Sequence, residues 1–189
     1  MPLFYSDPKL EELENFEELS DSEKKSSNIT QNHVSLYPSW LNEQWFETQW
    51  NQGISFFEQS SDSHHQALKK MLQIIEITLI IMREDEAREL NKQYRGKNKA
   101  TNILTFPYDK KDNNNTPWAD IIICWDVVMQ EAIEQNKSLQ HHLTHLWWHG
   151  LLHAIGLDHI LDEEAEFMES LEVDILKKLG ITDPYRIVD

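Results

Sequence analysis

Three imidazoles placed four and six residues apart are the part of this 189-residue chain best suited to chemistry. His149, His153 and His159 lie in the run His149-Gly150-Leu151-Leu152-His153-Ala154-Ile155-Gly156-Leu157-Asp158-His159. Positions four apart on an α-helix stand one above the other, so His149 and His153 aim at a common point. Gly156 can take the left-handed conformation that ends a helix, after which the chain reverses and His159 returns to that point. Imidazole nitrogen suits Zn²⁺, and three protein ligands leave a fourth position for water, as catalytic zinc does. An ion held there would bring the pKa of its water to about 7. A closed structural site wants a fourth residue, usually cysteine, and the single cysteine, Cys124, is distant in sequence. The plain alternative is a buried helix with satisfied core histidines.

The spacing is similar to that of the metzincin proteases, His-Glu-x-x-His-x-x-Gly-x-x-His, whose Glu is the general base for peptide hydrolysis. Gly150 stands at the Glu position, so the metal geometry is kept while the group that moves the proton is missing. Another metal hydrolase, a peptidase or amidase, is therefore disfavoured. His145, one turn before His149, is an alternative ligand, a phosphate contact or a core residue; were His145, His149 and His153 the ligands, His159 would be dispensable. Asp158 either carries protons beside a ligand or caps the turn after Gly156.

Further residues widen the pattern. The block from His145 to His159, followed by Asp162-Glu163-Glu164-Ala165, resembles the YbeY endoribonuclease family, also called rRNA maturation factors, with its His-Gly-x-Leu-His-x-x-Gly-x-Asp-His hallmark. Tyr94-Arg95-Gly96-Lys97-Asn98-Lys99-Ala100-Thr101-Asn102-Ile103-Leu104-Thr105-Phe106-Pro107 is similar to that family's Tyr-Arg-x-x-x-x-Pro-Thr-Asn-Val-Leu-Ser-Phe-Pro segment. Ala119-Asp120-Ile121-Ile122-Ile123-Cys124 resembles its Gly-Asp-Ile strand, and the resemblance runs from about Glu76 to Tyr185. Ala100, Ala119 and Ala154 stand where the family has Pro, Gly and Leu, all outside the ligand positions.

The resemblance implies a zinc-dependent, single-strand-specific endoribonuclease acting in 16S rRNA 3′-end processing and ribosome quality control. It implies a zincin-like arrangement with one Zn²⁺ held by His149, His153 and His159. The expected partners are single-stranded RNA, small-subunit rRNA, the small ribosomal subunit and its assembly factors, with no DNA and no membrane. Arg95 matches the family's arginine; its planar fork can bond two phosphate oxygens and neutralise charge developing there. A non-catalytic ribosome-associated zinc protein is the remaining alternative.

The whole chain sets bounds on this reading. Its length suits one domain, read as residues 31–189, behind an acidic N-terminal extension of residues 1–30 that holds eight acidic and three basic residues. That extension has little apolar surface to offset chain entropy, so a flexible arm is expected, with a short helix at Pro8–Leu19 as an option. No signal peptide or membrane span is visible, which points to the cytoplasm. The net charge of −16 opposes long-range attraction to phosphate. Lys92, Arg95, Lys97 and Lys99 form a local basic cluster against it.

The elements that must position these residues read as an α+β domain with a small mixed sheet. Ile77, Leu79 and Ile81 mark a strand by their period of two. A helix is expected over Arg83–Gln93, ending near Gly96, then a strand Asn102–Tyr108 broken by Pro107, a loop Asp109–Pro117 and a strand Asp120–Cys124. Asp126 is a candidate N-cap for the next helix and Ser138 for the histidine helix, whose other positions are apolar nearly all round. A last helix begins at Asp162, with Met168, Leu171, Ile175 and Leu179 on one stripe and Gly180 as the stop. Pro38–Trp50 and His65–Leu72 are helical candidates. Trp40, Trp45 and Trp50 read as core rather than a base-stacking platform, Cys124 as a core side chain, Thr101 and Asn102 as turn formers, and His64 and His65 as surface residues.

Overall fold

A computed structural model describes residues 3–6, 37–111 and 116–186. Four strands, β1 (Leu3–Ser6), β2 (Glu76–Met82), β3 (Ile103–Lys111) and β4 (Thr116–Cys124), form one sheet in the order β1-β2-β4-β3. β1 runs parallel to β2 and β2 parallel to β4, while β3 is antiparallel to β4, so the sheet is mixed. Six helices complete the described residues: α1 (Glu43–Gln59), α2 (Ser63–Ile74), α3 (Glu84–Arg95), α4 (Trp125–Glu134), α5 (Leu139–Ala154) and α6 (Asp162–Lys178). The α+β class is as the pattern implies. The remainder of the acidic extension, with the optional helix at Pro8–Leu19, lies outside the described residues.

Successive strand residues face opposite sides, and here both sides are apolar. Ile77, Leu79, Ile81, Ile121, Ile123 and Ile103 join a large core with α5 and α1, whereas Met82, Ile122, Cys124 and Leu104 join a smaller one with Ala87 and Leu90 of α3. The histidine helix α5 and α3 therefore cover opposite faces. α5 sinks into the larger core because Trp147, Trp148, Leu151 and Leu152 are buried beside its histidine stripe. Trp50 stacks on Trp148 with rings 5.8 Å apart, and Trp40 and Trp45 pack against the same core.

Four local expectations are corrected. Pro107 does not break β3: it pairs with Ala119 within the strand, which lies at the sheet edge, where a missing N–H is tolerated. Strand pairing also runs into the expected Asp109–Pro117 loop, to Lys111 on one side and from Thr116 on the other, with Tyr108 and Trp118 stacked at 3.9 Å. Asp126 caps not its own helix but the start of α3, accepting from the Glu84 amide at 3.0 Å and pairing with Arg83 at 2.9 Å. The first long helix starts at Glu43 behind the Asn42 cap and runs to Gln59, well beyond Trp50. Gly96 and Gly180 end α3 and α6 at φ of +68° and +75°, as expected of stop residues.

Candidate metal centre

The histidine helix ends by a tight reversal. α5 stops at Ala154, Gly156 adopts φ +93°, and its amide donates to the His153 carbonyl at 3.0 Å while the Leu157 amide donates to that of Leu152 at 3.1 Å. This turn satisfies the last carbonyls of the helix and carries His159 back toward its side. One potential ligand atom from each of His149, His153 and His159 lies within 4.8 Å of the other two. The centre is graded in burial: His149 and His153 are partly buried, His159 exposed.

Two second partners decide which nitrogen faces inward. His149 Nδ1 lies 2.8 Å from Glu172 Oε1 and His153 Nδ1 lies 2.8 Å from the Leu157 carbonyl. A carboxylate and a carbonyl only accept, so each Nδ1 carries a proton, and in the neutral form that a metal requires each ring would present an Nε2 lone pair. These two Nε2 atoms stand 3.1 Å apart. At that distance the two nitrogens can share a proton, with one ring charged, or a metal ion. Nitrogens bound to one tetrahedral zinc ion would be about 3.3 Å apart. The donor set therefore fits a metal ion, with an exposed side left for a further ligand. Burial, followed by the neighbouring His149 ring, lowers the His153 pKa below its ordinary value, which favours the neutral ring that a metal requires.

Glu172, a residue the sequence pattern did not single out, is the hub behind the rings. Its side chain is fully buried. Oε1 accepts from His149, and Oε2 accepts from His145 Nε2 at 2.6 Å and from the Tyr185 hydroxyl at 2.5 Å. Burial alone would raise its pKa, but hydrogen bonds from His145 and His149 outweigh this and hold it at about 2. His145 stands in this support, outside the three-ring cluster. A signal for Glu172 exists in the sequence: it falls on the apolar stripe between Met168 and Ile175, at helical spacing from both.

Asp158 accepts from the His159 amide at 2.7 Å, the turn-capping role. Asn102 accepts from the Ile103 amide and donates to Glu131, which also receives His142 Nε2 at 2.9 Å, tying the start of β3 to α4 and α5. Cys124 is buried, and burial raises its thiol pKa, so it is no nucleophile. Of the two surface histidines expected, His64 is exposed, whereas His65 is partly buried, bonded to Ser60 and against Phe56. Arg95 lies exposed in the last turn of α3, next to Tyr94, whose ring meets Phe106 of β3. No described contact joins Arg95 to the histidines.

Gly150 shows why this centre lacks the protease base. A Cβ at that position would stand 2.8 Å from Ile103 Cδ1 and 3.3 Å from both Ile121 and Thr105. α5 lies directly on the sheet there, and a side chain at this position would run into the sheet residues. A small cavity of about 150 Å³ opens beside His149 and His159, walled by Met168, Glu169 and Tyr185. Tyr185 also borders a larger one of about 600 Å³ with Lys137, His141 and Arg186 on its walls.

Fold and site together define a class: an α+β protein with a solvent-facing three-histidine centre able to hold a metal ion. The family follows from comparison with known proteins. A family model described as Endoribonuclease YbeY matches residues 40–180. The chain is 52% identical over 110 residues to the Endoribonuclease YbeY of Janthinobacterium sp. (strain Marseille), covering 58% of this chain and 72% of that protein. It is 50% identical over 114 residues to the one from Colwellia psychrerythraea (strain 34H), covering 60% and 74%. Among solved structures, a Thermotoga maritima protein determined in solution aligns with a TM-score of 0.43 at 24% identity, over 75% of this chain and 93% of that one. The chain belongs to the YbeY endoribonuclease family.

Proposed function

We propose that this protein cuts single-stranded RNA at a zinc centre formed by His149, His153 and His159, and that it acts in the cytoplasm on small-subunit rRNA as the ribosome matures. Family membership supports the RNA-cleaving activity and its place in rRNA processing. The observation that carries the metal assignment is the convergence of one nitrogen from each of His149, His153 and His159 within 4.8 Å, with the other nitrogen of both helix rings already engaged. Zn²⁺, when bound, supplies Lewis acidity to a phosphodiester oxygen and lowers the pKa of water.

The chain's own residues do the rest. Glu172 and the Leu157 carbonyl hold the two helix rings in the ligating tautomer, and Gly156 sets the bend that presents His159. Arg95 offers its guanidinium to a phosphate of the bound strand, and Lys92, Lys97 and Lys99 form the basic surface around it. The larger cavity, which borders Tyr185, offers room for part of the bound strand beside the centre, with Arg186 on its wall as a cation for a backbone phosphate. Residues 31–189 constitute the nuclease domain in this reading, and the small ribosomal subunit with its assembly factors is the setting in which the substrate is presented. A peptidase is disfavoured by the packing at Gly150, and a closed structural zinc site by the exposure of His159.

The test is cleavage of a short single-stranded RNA by one preparation as purified, after chelation and after zinc is restored, with the duplex form as control. Cleavage of the single strand that chelator abolishes and zinc restores is expected. Arg95→Ala should slow cleavage while the metal content stays unchanged. Undiminished cleavage by the metal-free protein would overturn the proposal.

A further inference from the structure

We propose that Glu172 is the positioning residue of the metal centre and that Tyr185, acting through it, ties the C-terminal segment to the metal's affinity. This rests on the reading of the three histidines as ligands. A fully buried carboxylate is costly to desolvate and persists only when its oxygens are occupied. Here both are: one orients a metal-facing ring, the other collects His145 and Tyr185. The hydroxyl that reaches Glu172 belongs to the stretch after α6. That stretch is held from the other side by Lys137, whose ammonium donates to the Pro184 carbonyl at 2.9 Å, and internally by the Tyr185 amide on Asp183 at 2.9 Å.

The geometry makes the coupling directional. If the Tyr185 hydroxyl is removed, Oε2 keeps only His145 at 2.6 Å, and the carboxylate is held against His149 Nδ1 by one bond fewer. The acceptor that fixes the His149 tautomer is then less tightly placed, and the distance from its Nε2 to that of His153 is held less firmly. By linkage, whatever Tyr185 contributes to metal binding, metal binding returns to the docking of the C-terminal segment. Its position between the two cavities means that the same residue stands where substrate would lie.

The experiment measures Zn²⁺ affinity by competition with a chromogenic chelator for the full-length wild type, Glu172→Gln and Tyr185→Phe. The visible spectrum of the Co²⁺ form and the melting temperature of the metal-free form are recorded beside it. Glutamine cannot accept on both sides at once, so Glu172→Gln should lose about 10- to 100-fold in affinity and shift the Co²⁺ absorption. Tyr185→Phe, one hydrogen bond further out, should lose roughly threefold to tenfold in affinity, beside a metal-free melting temperature lowered by the loss of one bond to a buried carboxylate. A merely structural network would lower the melting temperatures and leave affinity and spectrum as in wild type, and that result would overturn the proposal. Should Glu172→Gln fail to fold, Tyr185→Phe decides alone by the same criterion. A wild-type chain that binds no zinc would overturn the metal centre and this proposal together; unaltered variants beside a zinc-binding wild type would overturn this proposal alone.

Discussion

Replacing Gly150 by glutamate would restore the protease-like motif in sequence, and the packing forecasts that it restores nothing in function. The new Cβ would meet Ile103 Cδ1 at 2.8 Å, with Ile121 and Thr105 at 3.3 Å on either side. Ile103 Cδ1 is the far end of a flexible side chain and can turn aside, whereas Ile121 and Thr105 must give by a few tenths of an ångström, so overpacking should cost toward the low end of about 1–3 kcal/mol. Alanine at the same position would recover about 1 kcal/mol from helix propensity, so Gly150→Ala should end near neutral or up to about 2 kcal/mol less stable. Glutamate adds a charge beneath the sheet with no partner in place, and a buried unpaired charge raises the total to roughly 3–5 kcal/mol. At about 2–4 °C per kcal/mol for a chain of this size, Gly150→Glu should melt roughly 6–20 °C lower. Thermal denaturation followed by circular dichroism, with casein hydrolysis assayed alongside, reads both consequences. A Gly150→Glu protein as stable as wild type, or one that gains chelator-sensitive peptidase activity, would refute the claim that close helix–sheet contact excludes the base.

Other expectations can be measured on the same preparations. Gly156→Ala forces a β-carbon onto a backbone at φ +93°, so it should lower stability by about 1 kcal/mol or more and weaken zinc binding by displacing His159; a competition assay with unchanged affinity would contradict this. Glu172 has a folded pKa depressed to about 2 from an ordinary 4.5, so it contributes stability that is complete above pH 4.5 and lost as pH falls toward 2. The loss amounts to about 3 kcal/mol, and denaturant titrations between pH 5 and 2 should show it vanish in Glu172→Gln. His153, with its folded pKa below 6.5, makes the metal-free protein less stable as pH falls through 6.5, because the unfolded chain takes up the proton first. Zinc occupancy should fall in the same acid range, and full occupancy at pH 5 would argue against histidine ligation.

What the sequence made legible was local. The clustering of the three histidines followed from a four-residue step and one glycine, because helix geometry fixes where His149 and His153 point and a stop residue fixes where the chain turns. β2 was visible because its alternate isoleucines and leucine all enter one core. What was hidden depends on partners distant along the chain. Glu172 lies 23 residues from His149, and Tyr185 lies 40 from His145, so no spacing rule joins them. Asp126 looked like an N-cap from its neighbours, yet its carboxylate serves a helix 42 residues earlier. Pro107 looked like a break because strand position at the sheet edge cannot be read from the strand itself. β1 was missed within an extension whose acidic composition argued for a flexible arm, since four residues carry too little pattern to mark a strand.

The central claim is that three particular imidazoles hold one ion. Elemental analysis of metal bound to the wild type, His159→Ala and His145→Asn, each loaded with excess zinc and desalted, tests it most directly. One equivalent in the wild type and in His145→Asn, with little or none in His159→Ala, is the result this account predicts. A full equivalent retained by His159→Ala would contradict it.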